Sequence, residues 1–324
     1  MNITLGIDNF VKNITASFTS DHPFFLGRIG GGETNLAKYF TELKESNPTQ
    51  SSLKTAFESD LMIKLMMKIM RNYGGFYGEP NVESDFKFCE YYTSLYKSFD
   101  AATLAGPDVN SYYIKPQMTY PYNDPQKKEL YDKFIQKCFI PNIPLAWYTN
   151  IEMVTPFLNA FKTFALDKKI LVIGPFAQSI KAQYPNLNKL FHGYTFPSFE
   201  LITYQTPITY NDNNVPYMSF PHESWFETVD IMCKDISKID FHIALLGCST
   251  YTLPLGAHIK SMGKKAIYMG AILQVCFGVM GSRWIDQEYY LTNKDEFIFP
   301  LETNDQVIEG KKHHYQREGF NGYF

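Results

Sequence analysis

Apolar positions follow a helical period in some stretches and run unbroken for four to six residues in others, and the two alternate along the chain. Leu5, Ile7, Phe10, Val11 and Ile14 have the spacing of an opening helix. Phe24 to Ile29 is a short apolar run broken by Gly30, Gly31 and Gly32. Glu33 then starts a helical pattern through Leu36, Ala37, Phe40 and Leu43. One helix is predicted over about Leu53 to Arg71, stopping at Gly74-Gly75, and another over roughly 83–98 before a strand near Ala102 to Ala105. Asp124-Pro125 opens a helix to about Cys138. Further along, strands are expected at Lys169 to Gly174, Phe199 to Tyr204, Phe241 to Leu246 and Ala266 to Met269. Helices are expected at Ala177 to Tyr184, Glu223 to Ser237 and Leu253 to Met262.

Strands that alternate with helices and are apolar throughout imply a parallel sheet covered on both faces, an α/β Rossmann-like fold. The Pro-rich stretch 141–156 is the best candidate boundary. It would divide an N-terminal α/β lobe, 1–145, from a Rossmann-like lobe with a C-terminal tail, 146–324, or lie within one continuous domain.

Composition narrows the function classes. With 45% hydrophobic residues the 324-residue chain is not disordered, and a net charge of −3 gives no bulk attraction to nucleic acid. The N-terminus MNITLGIDNF has no basic n-region and no long apolar run. No stretch reaches membrane-spanning length, and the five cysteines show no CxxC. A cytoplasmic, reducing location is therefore expected. Leu61 to Met70, with Lys64 and Lys68 on one face, is read as an amphipathic helix packing on the core rather than on a membrane. Only four of the 30 bases are arginine: Arg28, Arg71, Arg283 and Arg317. Each therefore stands out, because the guanidinium fork binds phosphate in a way lysine cannot.

Three loops join a predicted strand to a predicted helix: Gly30-Gly31-Gly32-Glu33, Gly174-Pro175-Phe176, and Gly247-Cys248-Ser249-Thr250-Tyr251. Such loops offer backbone N–H groups to an anion at the carboxyl edge of the sheet. No GxGxxG, GxxxxGK[ST], GxSxG or HExxH motif occurs. The adjacent His313 and His314 diverge on regular structure, and His258 reads as a packed or surface residue. Arg28 and Glu33 flank the three glycines, placing a guanidinium and a potential general base beside a backbone that a ligand can approach closely. Arg283 and Trp284, after Gly278 and Gly281, form a second concentration suited to a phosphate and to a sugar or base.

These stretches resemble a known family. Phe24 to Glu33 (FFLGRIGGGE) is similar to the RxGDGE-type turn of GT-D-fold glycosyltransferases. Asn72 to Gly78 (NYGGFYG), Lys169 to Gln183 (KILVIGPFAQSIKAQ) and the long stretch from Cys248 to Trp284 are similar to blocks of a related family of polysaccharide-type glycosyltransferases from bacteria and large DNA viruses. The resemblance implies transfer of a sugar from a nucleotide-sugar donor, UDP-sugar favoured, to a glycan or glycoprotein acceptor. Carried over, Glu33 matches the second acid of the Asp-x-Glu turn, and Gly31 stands where the first acid would be. One carboxylate and a diphosphate are a thin ligand set for Mn²⁺ or Mg²⁺, so weight moves to Glu33 as catalytic base. Arg28 or Arg283 would stabilise the leaving diphosphate. Gly30, Gly31, Gly32, Pro175, Phe176, Ser179, Gln183, Gly247, Cys248, Ser249, Thr250, Tyr251, Gln274 and Arg283 would bind the donor. Tyr77 and Trp284 would stack on the acceptor. Two other classes remain open: a nucleotide or sugar-phosphate hydrolase, for which no nucleophile or two-metal carboxylate cluster is visible, and a non-catalytic nucleotide-sugar binding protein.

Overall fold

The structure, a computed structural model, describes residues 7–29, 31–104, 145–147, 154–212, 215–216, 219–281 and 294–302. The predicted helix at 124–138, most of the Pro-rich stretch and the C-terminal tail lie outside the described residues. Nine strands are described: β1 (Phe24–Ile29), β2 (Ala101–Leu104), β3 (Leu145–Trp147), β4 (Lys169–Gly174), β5 (Glu200–Gln205), β6 (Asn211–Asp212), β7 (Val215–Pro216), β8 (Ile243–Leu246) and β9 (Lys265–Tyr268). Seven of them form one sheet in the order β3-β2-β1-β9-β8-β4-β5, every neighbouring pair parallel. Strands from residues 1–145 and from residues 146–324 thus share a single Rossmann-like sheet. β6 and β7 make a separate antiparallel pair.

Strict alternation along the strands divides the core in two. Phe25, Leu171, Ile173, Ala244, Leu246, Ala266 and Tyr268 face one layer, and Leu26, Ile170, Val172, Ile243, Leu245 and Ile267 face the other. The first layer is built from α2 (Gly31–Ser46), α3 (Gln50–Ser59), α4 (Leu61–Ile69), α5 (Val82–Leu95), α9 (Trp225–Ile236) and α10 (Thr252–Ser261). The second contains α1 (Ile7–Thr19), α6 (Val154–Phe164), α7 (Ala177–Gln183), α8 (Leu187–Leu190) and α11 (Ile272–Cys276). Burial on both faces explains why these strands are apolar without interruption.

The helix expected over Leu53 to Arg71 is two helices and a π-helical turn. Asp60 adopts extended angles, closes α3, and accepts a hydrogen bond from the Ile63 N–H at 2.9 Å to open α4. A short acid that can bond its own downstream backbone competes with helix continuation, and here it serves as an N-cap. α4 packs through Ile63, Met66 and Met67, while Met70–Gly74 continue as the π-helical turn. The Pro-rich stretch also contains β3 and the start of α6, which the helical and strand periods do not reveal.

α10 lies tightly on β1. A Cβ on Gly256 would sit 2.1 Å from the Phe25 ring, and Phe25 is fully buried with no room to yield. Alanine would gain about 1 kcal/mol of helix propensity there, but overpacking costs about 1–3 kcal/mol. Gly256→Ala is expected to lower unfolding free energy by about 1–2 kcal/mol in urea denaturation.

Candidate active site at the carboxyl edge of the sheet

Helices leaving adjacent strands toward opposite faces open crevices at the carboxyl edge. β1 leads to α2 in the first layer, and β9 leads to α11 in the second. β8 leads to α10 in the first layer, and β4 to α7 in the second. Three adjacent pairs diverge in this way, β1–β9, β9–β8 and β8–β4, and ligands of open α/β sheets bind at such switch points.

The β1–β9 crevice holds Arg28 and Glu33. By alternation with Leu26, Arg28 leaves β1 toward the second layer, and Glu33 stands in the first turn of α2 on the first layer. Arg28 lies over the backbone of Gly270, which has φ +63°. A Cβ there would be 2.4 Å from Arg28 Nη1, so a side chain at 270 would displace the guanidinium, and the positive φ favours glycine. Arg28 is half-buried, and its Nε is fully buried without a hydrogen-bond partner. Among the described residues no carboxylate pairs with it. An unpaired guanidinium at a half-open rim is costly for the protein alone and suited to an external anion. Glu33 is half-buried, with the Tyr268 hydroxyl donating toward its Oε1 at 3.4 Å. Burial pushes the Tyr268 phenol well up, Glu33 pushes it further, and Arg28 opposes them. Both charged groups therefore act on the same hydroxyl from opposite sides of the rim.

The β8–β4 crevice has a glycine floor. A Cβ on Gly247 would lie 2.5 Å from the Gly270 carbonyl oxygen, and one on Gly174 would lie 3.2 Å from that of Gly247. Beyond Gly247 the loop is pinned to the π-helical turn. The Thr250 hydroxyl donates to the Gly74 carbonyl at 2.6 Å and accepts from Trp225 Nε1 at 3.0 Å, and the Tyr251 hydroxyl meets Thr209 Oγ1 at 2.8 Å. Thr250 and Tyr251, expected at the donor, are buried in these contacts. Cys248 is also buried, and burial raises its thiol to about 12 against the weaker effect of the Thr252 hydroxyl, so it is neither nucleophile nor exposed ligand. Of this loop, Gly247 and Ser249 remain half-open.

Other expected site residues stand elsewhere. Ser179 is fully buried; its N–H donates to Glu302 Oε1 at 2.9 Å and its hydroxyl to Glu302 Oε2, while Leu301 N donates to Ser179 Oγ at 2.8 Å. Gln183 Nε2 donates to the carbonyls of Gly278 and Glu296 at 3.0 and 2.8 Å, and Gln274 Nε2 donates to that of Met280 at 2.9 Å. Their amides and hydroxyl hold residues 278–280 and 294–302 in place. Phe176 is core, and Pro175 is half-buried at the β4 exit. Tyr77, expected as an acceptor platform, is 1% exposed, stacks on Phe220 at 4.0 Å and bonds Thr228; the core encloses its ring. Arg71 is structural, paired with Asp85 and lying over the Phe76 ring. Gly31 and Gly32 form the start of α2; Gly30, Arg283 and Trp284 lie outside the described residues.

The sequence reading missed Tyr268 and Gly270 beside Arg28 and Glu33. Gly270 follows a predicted strand directly, the same signal used for Gly174 and Gly247, and Tyr268 is two residues before it. Among the described residues no three His, Cys, Asp or Glu side chains come together for a metal, and no helix is long and apolar enough to cross a membrane. Among the described residues, the polar partner named for Glu33 is the Tyr268 phenol, which is no ligand for Mn²⁺ or Mg²⁺.

No protein-family profile and no curated protein matches the chain. Similar solved structures include one described as the selenomethionine-substituted structure of domain of unknown function 1792, 13% identical with a TM-score of 0.37. Another is described as showing that this highly conserved domain has a distinct glycosyltransferase fold, 12% identical with a TM-score of 0.36. Each alignment covers 94% of this chain and 98% of the other. At such low TM-scores the likeness supports no statement about activity, which rests on the rim residues themselves.

Proposed function

We propose that the chain is a glycosyltransferase that takes a nucleotide-sugar donor, a UDP-sugar favoured, and moves its sugar to a glycan hydroxyl. The observation behind this reading is that an arginine whose buried Nε has no hydrogen-bond partner among the described residues, and a half-open carboxylate that accepts from a buried phenol, act on the same Tyr268 hydroxyl. An anion binder and a general base are groups that glycosyl transfer from a diphosphate can use.

In this reading the donor diphosphate lies against Arg28 over Gly270. Glu33 takes the proton from the acceptor hydroxyl as that oxygen bonds to the anomeric carbon. The bond from the anomeric carbon to the diphosphate oxygen breaks, its electron pair leaves with the nucleoside diphosphate, and Arg28 stabilises that developing charge. No step uses a metal. The glycan acceptor follows from the resemblance and from the need for a hydroxyl within reach of Glu33.

Arg28→Gln is expected to abolish the thermal stabilisation that UDP or GDP confers on the wild-type protein; an undiminished shift would remove Arg28 from donor binding. Glu33→Gln is expected to keep that stabilisation while turnover of the donor falls by about 10²–10⁴, the range for loss of a general base. Equal turnover in the two proteins would remove Glu33 from the mechanism.

A further inference from the structure

α4 meets the core through one face only. At about 100° per residue, Ile63, Met66 and Met67 fall on one arc of the helix and are buried. The opposite arc, about 160° wide, carries Lys64, Lys68, Leu61, Leu65, Ile69 and Met62 in that angular order. Leu61 is 78% exposed, Leu65 44% and Met62 38%, while Ile69 is half-buried and both lysines are exposed. Seven large apolar side chains are exposed among the described residues, and three of them stand on this one helix within five positions.

A surface helix of a globular protein turns a polar stripe to water. α4 instead bears apolar side chains on its buried face and on most of its outer one, with its two cations together along one edge. The helix contains no acid. Asp60, at its start, is occupied as the N-cap and accepts from the Ile63 N–H at 2.9 Å. Neither Lys64 nor Lys68 belongs to an ion pair of the described residues, so both ammonium groups face outward uncompensated. An apolar ridge flanked by free lysines is the pattern of a helix lying in a lipid interface. There the apolar chains enter the acyl boundary and the lysine stems reach back to the headgroups.

We propose that α4 docks on an anionic lipid surface, with Leu61, Leu65 and Met62 entering the boundary and Lys64 and Lys68 meeting headgroup phosphates. A second copy of the chain on the same face would gather four lysines at one small contact, which like charge opposes. Docking there also sets the lipid near the rim. A Cβ on Gly32, the residue before Glu33, would lie 2.9 Å from Ile69 Cγ2, and Leu61 is about 12 Å away along the same helix. The docking does not depend on the glycosyltransferase reading.

The test is flotation of the full chain with vesicles of phosphatidylcholine alone and of phosphatidylcholine mixed equally with phosphatidylglycerol. The wild-type chain is expected to float with the anionic vesicles, at least about fivefold less with the neutral ones, and to be released by high salt. Leu61→Ser/Leu65→Ser is expected to abolish the association, and Lys64→Ser/Lys68→Ser to weaken it about tenfold. Because these four side chains are exposed, the melting temperature of both variants is expected to match the wild type. Sedimentation velocity without lipid tests for a second copy. The proposal is overturned if the wild-type chain floats with neither vesicle, which leaves the face to a protein partner. It is equally overturned if the leucine variant floats as the wild type does, or if the wild type is a dimer that the leucine variant dissociates. Thermal stabilisation by UDP, read on the same samples, tests the glycosyltransferase reading separately.

Discussion

The rim of this sheet depends on backbone meeting backbone. At the ends of β4, β8 and β9 the glycines Gly174, Gly247 and Gly270 approach so closely that a methyl group on Gly247 would stand 2.5 Å from its neighbour's carbonyl. Gly270 also leaves room for the Arg28 guanidinium, Ser249 takes positive φ where β8 turns into α10, and the loop beyond it meets the π-helical turn through Thr250 and Gly74. The rim is thus shaped by backbone as much as by side chains.

Much of the frame was legible in the sequence because burial on both faces leaves a plain record. Apolar runs such as Lys169–Gly174 and Ile243–Leu246 can lie only in a covered parallel sheet, and the glycine after each marks a rim turn. The helix break at Asp60 was not legible in this way. Its cause is one side-chain hydrogen bond to Ile63 that interrupts an otherwise continuous helical period. The order of the strands was likewise hidden, since pairing β1 with β9 joins residues about 240 positions apart.

The site was readable in kind and less so in membership. Arg28 and Glu33 stood out through their glycines, and both act on the Tyr268 hydroxyl. Ser179, Gln183, Gln274, Thr250 and Tyr251 have the right chemistry for a donor site, but that chemistry is used internally. A hydroxyl or amide in a motif looks the same whether it faces a ligand or a carbonyl 100 residues away, and only packing distinguishes the two. Tyr77 shows the same ambiguity for aromatic rings, because the core encloses it.

The internal use of Ser179 and Gln183 bears on how the chain can vary. Gln183 joins Gly278 to Glu296, the Met280 N–H donates to the Ile298 carbonyl at 2.7 Å, and the Ile298 N–H donates to the Gly278 carbonyl at 2.9 Å. Residues 278–280 and 296–298 are therefore tied to one another and to α7 at once, so a change at the single amide of Gln183 would loosen two separate stretches of chain together.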